Sequence, residues 1–468
     1  MLTPRAIPAN PVSPKMMEDY KTFLRFPSIA SDPAHTSDVG HCAKWLAKKM
    51  KEAGLSTVKI ISTPGHPIIY GEQKTDPSNK TILFYGHYEV QPGGPFAKWK
   101  SPPCNPVTRD NYIYARGASD DKGQVWIQLK AIEYMLKRKD QYRINIKCIY
   151  EGEEETGSKN LGPFIKTNRN LLQSDAVIVS DSKMLGADQP AITYSLRGSF
   201  NAALTITNGG KELHSGTYGG MVYDPSSVMS KLLAGMHDST GKIIVPGFYN
   251  QVVPIKNNER NFMQKSGPPD ESLLADSGAT SSHGEPGFSN YERTTIRPSI
   301  VITTLIAGHT GAGFNNSVSS TATAKMNVRL AGGQRPIDAA RQIRSYIQHN
   351  LPPSIRYKLR FSSPVDPVAT GRKHPYMMAA AKAYTQVFKR PVTFLRSGGT
   401  IPIVSLMQKE MGVPVVLMGF ALGSDNMHAP NERFYLPNLD RGIQTIIEFA
   451  RQVSKHSTKP INGHAYNR

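Results

Sequence analysis

Cysteine is scarce: Cys42, Cys104 and Cys148 are the only three among 468 residues. Isolated thiols build no disulfide framework, and their spacing is not that of a zinc–thiolate knuckle. Long apolar runs are missing too; none approaches the ~18 residues that a membrane span needs. Met1 to Pro14 carries prolines at positions 4, 8, 11 and 14 and no apolar core, so no secretory signal is read there. The default compartment is therefore the cytoplasm. Acid is short as well: 36 Asp and Glu face 56 Lys and Arg, a formal net charge of +20. Such an excess raises nucleic acid and anionic membrane as partners. No Lys/Arg block with interleaved aromatics accompanies it. The excess is read as a basic solvated surface, with neither nucleic acid nor membrane as partner.

What is present is organised around Glu151-Gly152-Glu153-Glu154-Glu155-Thr156-Gly157-Ser158. It follows Ile144 to Tyr150, whose alternation reads as a strand. The same arrangement recurs. Gly86-His87-Tyr88-Glu89 closes the apolar run Thr81 to Tyr85, Ser180-Asp181 closes Ala176 to Val179, and His428 follows Val413 to Phe420. Asp120-Asp121 precedes a helix expected over Gly123 to Lys137. Carboxylates and imidazoles thus follow apolar strands, and in an open α/β sheet the carboxyl ends of strands are where sites form.

The length exceeds one average domain. After an irregular arm over residues 1–15, helices are expected over Met16 to Phe26 and from Ser37 or Asp38 to Gly54, and strands at Val58 to Ile61 and Pro67 to Tyr70. Beyond Asp181 the pattern changes. Ser199 to Thr207, Ser299 to Leu305, Ser320 to Leu330 and Tyr357 to Phe361 read as strands, with helices after Asp224-Pro225 and over Ile337 to His349. This is an antiparallel α+β unit inserted in the chain. Lys256 to Glu292 is polar and rich in Gly, Ser and Pro, and reads as a long loop. From His374 the larger pattern resumes, with helices over Met377 to Phe388 and Leu439 to Val453 and a polar tail, Ser454 to Arg468. The expected division is a first catalytic part over 1–197, an insert over 198–364, and a second catalytic part over 365–468.

His87, Asp120, Glu155, Asp181 and His428 form a nitrogen and oxygen donor set that suits zinc, with manganese or cobalt as alternatives. Five ligands give two metals three each only if one carboxylate bridges. Paired metals polarise a carbonyl and generate hydroxide near neutral pH. Glu154, beside a ligand, is placed to take the proton from that water and deliver it to a leaving amine.

These stretches, in this order from about Met16 to Val453, resemble the di-zinc aminoacylase, carboxypeptidase-G and carnosinase-type dipeptidase family. Gly86 to Pro92 resembles its first metal motif, Arg116 to Gly123 its bridging-carboxylate motif, Glu151 to Ser158 its catalytic-glutamate motif, and Met427 to Glu432 its last ligand motif. Ser180-Asp181 with Ile192 to Gly198 is similar to the carnosinase-like branch. The resemblance implies a mixed-sheet α/β catalytic domain with an inserted α+β lid and dimerisation domain, and two divalent metals per subunit, zinc first. Metal one would take His87, Asp120 and Asp181; metal two would take Asp120, Glu155 and His428. Glu154 would be the general base, and the Asp120–Asp121 bond cis. It further implies a homodimer in which His214 reaches the partner's active site and stabilises the oxyanion. Asn316 and the loop with Ser397, Gly399 and Thr400 would bind substrate, and Arg329 its carboxylate. The other ten of the 13 histidines match no ligand position and are read as structural or exposed.

The sequence departs from the family at Glu89, where the family usually has Asp hydrogen-bonded to the ligating imidazole. It departs again after Asn316, where Ser317-Val318 replaces the usual Ile-Pro. The expected function is hydrolysis of a dipeptide. An N-acyl-amino-acid amidohydrolase or deacetylase, and a catalytically weakened binding protein, are the alternatives.

Overall fold

The computed structural model describes residues 12–138 and 141–456. Residues 1–11 of the expected arm and the tail beyond 456, His464 included, lie outside the described residues. Two compact units divide the chain. The first comprises residues up to Tyr194, Thr370–Phe394 and Leu406 onward; the second comprises Ser195–Ala369 and Leu395–Ser405.

The first unit is built on a six-stranded mixed sheet. Its order is Thr57–Ile61, Ile68–Gln73, Ile144–Glu151, Lys80–His87, Ala176–Val179 and Val415–Leu417. The last four run parallel, and the first two pair antiparallel at one edge. The central strands read as near-continuous apolar runs because they are buried, Ile144–Glu151 along its whole length. Helix Lys122–Leu136 packs on Lys80–His87 and on helix Leu436–His456, which also packs on Pro375–Phe388. The parallel strands therefore end together, and the loops that leave their carboxyl ends share one rim.

The second unit is a four-stranded antiparallel sheet ordered Ser299–Ala307, Thr321–Leu330, Gly198–Thr207, Arg356–Val365. Strict alternation turns Phe200, Ala202, Leu204 and Ile206 inward, into one core with Met229, Leu232 and Leu233 of helix Pro225–Ala234 and Ile343 and Ile347 of helix Pro336–Asn350. The edge strand Ser299–Ala307 is different: Val301, Ile302, Leu305 and Ile306 are all exposed. The stretch read as a loop over Lys256 to Glu292 instead forms helices Asn257–Ser266 and Asp270–Ser277, and begins a third, Asn290–Thr295. Met263 is the only buried side chain of the first, and the second buries none, so no apolar stripe announces them. Their ends carry the signal: Gly278 closes one in the left-handed region, and Ser289 and Glu292 form a capping box. Among the described residues no helix is long and apolar enough to cross a membrane.

Candidate metal centre

Every chemistry-bearing residue of the first unit lies at the rim where the parallel strands end. His87 is the last residue of its strand and is fully buried. The residue before it must be glycine: a Cβ on Gly86 would lie 2.5 Å from Val125 Cγ2 and 2.7 Å from Asp121 Oδ2. Its absence lets helix Lys122–Leu136 press against the strand end. Asp120 and Asp121 sit at the start of that helix, joined by a cis peptide bond. Glu154 and Glu155 form a short 3₁₀ turn after Ile144–Glu151. Asp181 lies two residues beyond the end of Ala176–Val179, and His428 lies in the loop beyond Ala421–Leu422.

The fold gathers five of these residues into two overlapping groups. One donor atom each from His87, Asp120 and Asp181 lie within 4.8 Å of one another, and so do donors from Asp120, Glu155 and His428. Asp120 belongs to both. His87 Nε2 is 3.1 Å from its Oδ1, and His428 Nε2 is 2.9 Å from its Oδ2. His428 Nε2 is also 2.9 Å from Glu155 Oε1.

The electrostatics are those of a cation site in a basic chain. Burial, with Asp120 beside it, pushes Asp181 up to about 7. Burial pushes Glu154 up to about 8, with Asp181, Glu155 and Glu151 adding to the effect and His87 opposing it. Asp120 is desolvated as well, but its hydrogen bonds to His428 and His87 outweigh burial and hold it well below the usual carboxylate range. His428 is held up to about 10 by its bonds to Asp120 and Glu155. Burial disfavours charge on His87, yet Glu89, Asp120 and Asp121 together hold its pKa well above the ordinary value. Buried carboxylates in this excess are short of positive charge, and divalent cations are the largest charges a site of this size takes. The donor atoms, two imidazole nitrogens and three carboxylates, fit zinc, manganese or cobalt.

Glu89 is fully buried between the two groups. Its carboxylate does not make the expected hydrogen bond to His87. Oε1 is 3.7 Å from His87 Nδ1, which instead lies 3.2 Å from the Glu89 backbone oxygen. The carboxylate accepts the Glu155 backbone N–H at 3.1 Å. The longer side chain thus reaches the Glu155 backbone rather than the imidazole. Gln91, a member of the first motif with no role expected of it, donates its side-chain amide to Glu155 Oε2 at 2.8 Å. Glu154 makes no side-chain hydrogen bond or ion pair among the described residues.

The remaining expected site residues belong to the second unit. His214 is exposed and pairs with Ser317 across a two-stranded ladder, which sets it beside Asn316. Asn316 O accepts the Ser215 N–H at 2.9 Å. Arg329 is the penultimate residue of its strand and donates Nη1 to Thr400 Oγ1 at 3.0 Å, while Ser397 Oγ accepts the Gly399 N–H at 3.0 Å. Arg329 has no carboxylate partner among the described residues. These residues thus form two clusters, one around His214 and one around Arg329.

Comparison with known proteins adds an independent line. The profile of peptidase family M20/M25/M40 matches residues 83–452. The Cys-Gly metallodipeptidase DUG1 of Candida albicans is 28% identical over 463 residues, covering 93% of this chain and 94% of the relative. The human Beta-Ala-His dipeptidase is 27% identical over 409 residues, covering 84% and 79%. Among solved structures, the M20 family metallo-carboxypeptidase Sso-CP2 of Sulfolobus solfataricus superposes with a TM-score of 0.83 at 27% identity, covering 95% of this chain and 100% of that one.

Proposed function

The chain belongs to peptidase family M20/M25/M40, and we propose that it is a two-metal dipeptidase. The observation that carries this reading is the pair of donor groups sharing Asp120, one oxygen toward each imidazole. His87, Asp120 and Asp181 would hold one ion, and Asp120, Glu155 and His428 the other. Two zinc ions there, or manganese or cobalt, supply Lewis acidity for the scissile carbonyl and for water.

The protein's own groups do the rest. Glu154 is the general base: its unpaired carboxylate stands beside the ligand Glu155 on the same short turn. It takes a proton from the attacking water and passes it to the leaving nitrogen. Glu89 holds the Glu155 backbone and faces His87, so it orients a ligand of each ion. Arg329, with Ser397, Gly399 and Thr400, takes the substrate's carboxylate, a bidentate task that a guanidinium suits. His214 donates to the oxygen that becomes an oxyanion, with Asn316 beside it. The dipeptide is favoured over an N-acyl amino acid because the two named sequence relatives, matched along most of their length, are dipeptidases.

The partner is a second copy of the chain. The edge strand Ser299–Ala307 exposes four large apolar side chains along an unpaired sheet edge, a surface that self-association would cover. That copy would supply His214. The three cysteines are free, which suits a reducing cytoplasm.

The test is metal content with a substrate panel. About two equivalents of metal per subunit, dipeptide hydrolysis, its loss to a chelator and its return with added metal are expected. Near-zero metal with no hydrolysis would instead support a binding protein, and cleavage confined to N-acyl amino acids would shift the reading to an acylase.

A further inference from the structure

One fully buried carboxylate at the rim has no part in the chemistry above. Glu432 lies four residues beyond His428 and has no exposed surface. Its Oε1 accepts the backbone N–H groups of Ser119, at 2.9 Å, and Asp120, at 3.1 Å. Its Oε2 accepts Arg116 Nη1 at 2.8 Å and the Gly117 N–H at 3.1 Å. All four donors come from the five residues ending at the shared Asp120, more than 300 positions earlier in the chain. Neighbours reinforce the seam: Ser119 Oγ donates to Asp425 Oδ2 at 2.6 Å, and Asn431 Oδ1 accepts the Lys100 N–H at 2.8 Å.

The loop on the other side of the seam is closed at its base by the Arg433 N–H on Asp425 O at 3.0 Å, and it holds its histidine in an uncommon backbone conformation. His428 has φ +62, in the left-handed region, between Asn426 at +55 and Asn431 at +62. Asparagine and histidine enter that region more readily than most residues, but it remains uncommon and persists where the surroundings fix it. The imposed shape brings His428 Nε2 to 2.9 Å from Asp120 Oδ2.

We infer that Glu432 is a positioning residue that locks the bridging Asp120 to the His428 loop, so that both metal sites form or fail together. This rests on the two-metal reading. The chemistry of the clamp makes it specific to a carboxylate. Four donors on two oxygens require an acceptor at both ends. Glutamine is nearly isosteric, but its amide nitrogen would face two N–H groups whichever way it turned. The charged Arg116 claims the remaining oxygen. The amide nitrogen is then left against Ser119 and Asp120, and the displacement falls on the bridging ligand.

The experiment titrates cobalt(II) into chelator-stripped parent, Glu432→Gln and Asp181→Asn, read by visible absorption and calorimetry. Circular dichroism and thermal melts of the metal-free proteins report folding. Two equivalents should bind to the parent. In Glu432→Gln both should weaken ~10–100-fold with a changed cobalt band, as for outer partners of metal ligands. In Asp181→Asn only one should weaken. A folded Glu432→Gln that melts earlier yet binds both equivalents with parental affinity and spectrum would overturn the inference and leave Glu432 a purely structural residue. Should that variant not fold, Glu432→Asp carries the test: it keeps the charge, retracts it by about 1.5 Å, and should weaken both sites in the same direction; parental binding there overturns the inference equally. A parent that takes up no cobalt would refute the two-metal reading itself, and the inference with it.

Discussion

Replacing Glu89 separates two tasks that one carboxylate performs. It accepts the Glu155 N–H at 3.1 Å, and it places negative charge 3.7 Å from His87 Nδ1. Glu89→Ala abolishes both in a site with no solvent access to Glu89. A hydrogen bond to a charged group contributes about 1.5–3 kcal/mol. Loss of a group that orients metal ligands costs ~10–100-fold in affinity or activity, which is about 1.4–2.7 kcal/mol. The two routes agree, and since Glu89 touches one ligand of each donor group, the loss should appear at both ions. Glu89→Gln keeps the acceptor for Glu155 but removes the charge, and it buries an amide N–H₂ where Oε2 now has no partner; it should fall between Ala and parent. Glu89→Asp, the residue the family usually carries, gives up reach toward Glu155 and moves toward His87. It should stay within about tenfold of the parent, since at most one hydrogen bond of about 1 kcal/mol is exchanged. The assay is competition for zinc against a chromophoric chelator, with kcat and KM on the best dipeptide measured on the same samples. Unchanged zinc affinity and turnover in Glu89→Ala would refute the positioning argument. A large gain in Glu89→Asp would show that the longer side chain impairs this protein.

Glu154→Gln should keep both metals and lose ~10²–10⁴-fold in turnover, the usual value of a general acid–base group; parallel loss of metal and turnover would make Glu154 a ligand instead. Metal binding should be strongly pH-dependent. His428, held up to about 10, and His87, held well above its ordinary value, both carry protons at neutral pH that an ion must displace. Affinity should therefore fall as pH falls and rise toward alkaline pH, with two or more protons released per fully loaded subunit because Asp181, pushed up to about 7, adds to the two imidazoles; calorimetry in two buffers of different ionisation enthalpy would contradict this by showing none. Val301→Lys with Ile306→Lys, placing charge on the exposed edge strand, should turn a dimer into a monomer by light scattering; an unchanged mass would move the interface elsewhere. Mixing inactive His214→Ala and Glu154→Gln chains should restore some activity, and no recovery after verified subunit exchange would count against a site completed by the partner.

The legible elements are those whose burial is one-sided or complete. Ala176–Val179 is a wholly buried strand and appears at its expected bounds, and the alternation from Ser199 to Thr207 marks a strand with one wet face. The single strand expected over Val413 to Phe420 is shorter, Val415–Leu417. It breaks because the chain beyond it passes close to another backbone: a Cβ on Gly419 would lie 1.9 Å from Ser182 O. Such an approach is invisible to a hydrophobicity pattern, as are helices Asn257–Ser266 and Asp270–Ser277, which bury almost nothing. Helix Pro402–Met411, by contrast, is absent from the expected elements although Ile403, Val404 and Met407, all buried, give it a readable pattern.

The site divides in the same way, between residue type and residue reach. Glu151, Glu153, Glu154 and Glu155 are four carboxylates in five positions, and no periodicity tells them apart. Their partners do. Glu151 accepts Tyr85 Oη at 2.6 Å and Ser158 Oγ at 2.9 Å, so it ties the strand end to the far side of its own loop. Glu153 accepts the His66 N–H at 3.0 Å and the Asn160 side chain at 2.8 Å, which pins the loop between two flanking segments. Glu155 is turned toward Asp120 and His428, with Gln91 and Glu89 holding its side chain and its backbone. Only Glu154 is left without a partner among them. A carboxylate with no protein partner keeps its oxygens open to exchange a proton, while its bonded neighbours fix the loop that carries it. The acidic run is therefore one anchored loop with three bonded carboxylates and a single unpartnered one, which is the one the proposed mechanism uses as its base.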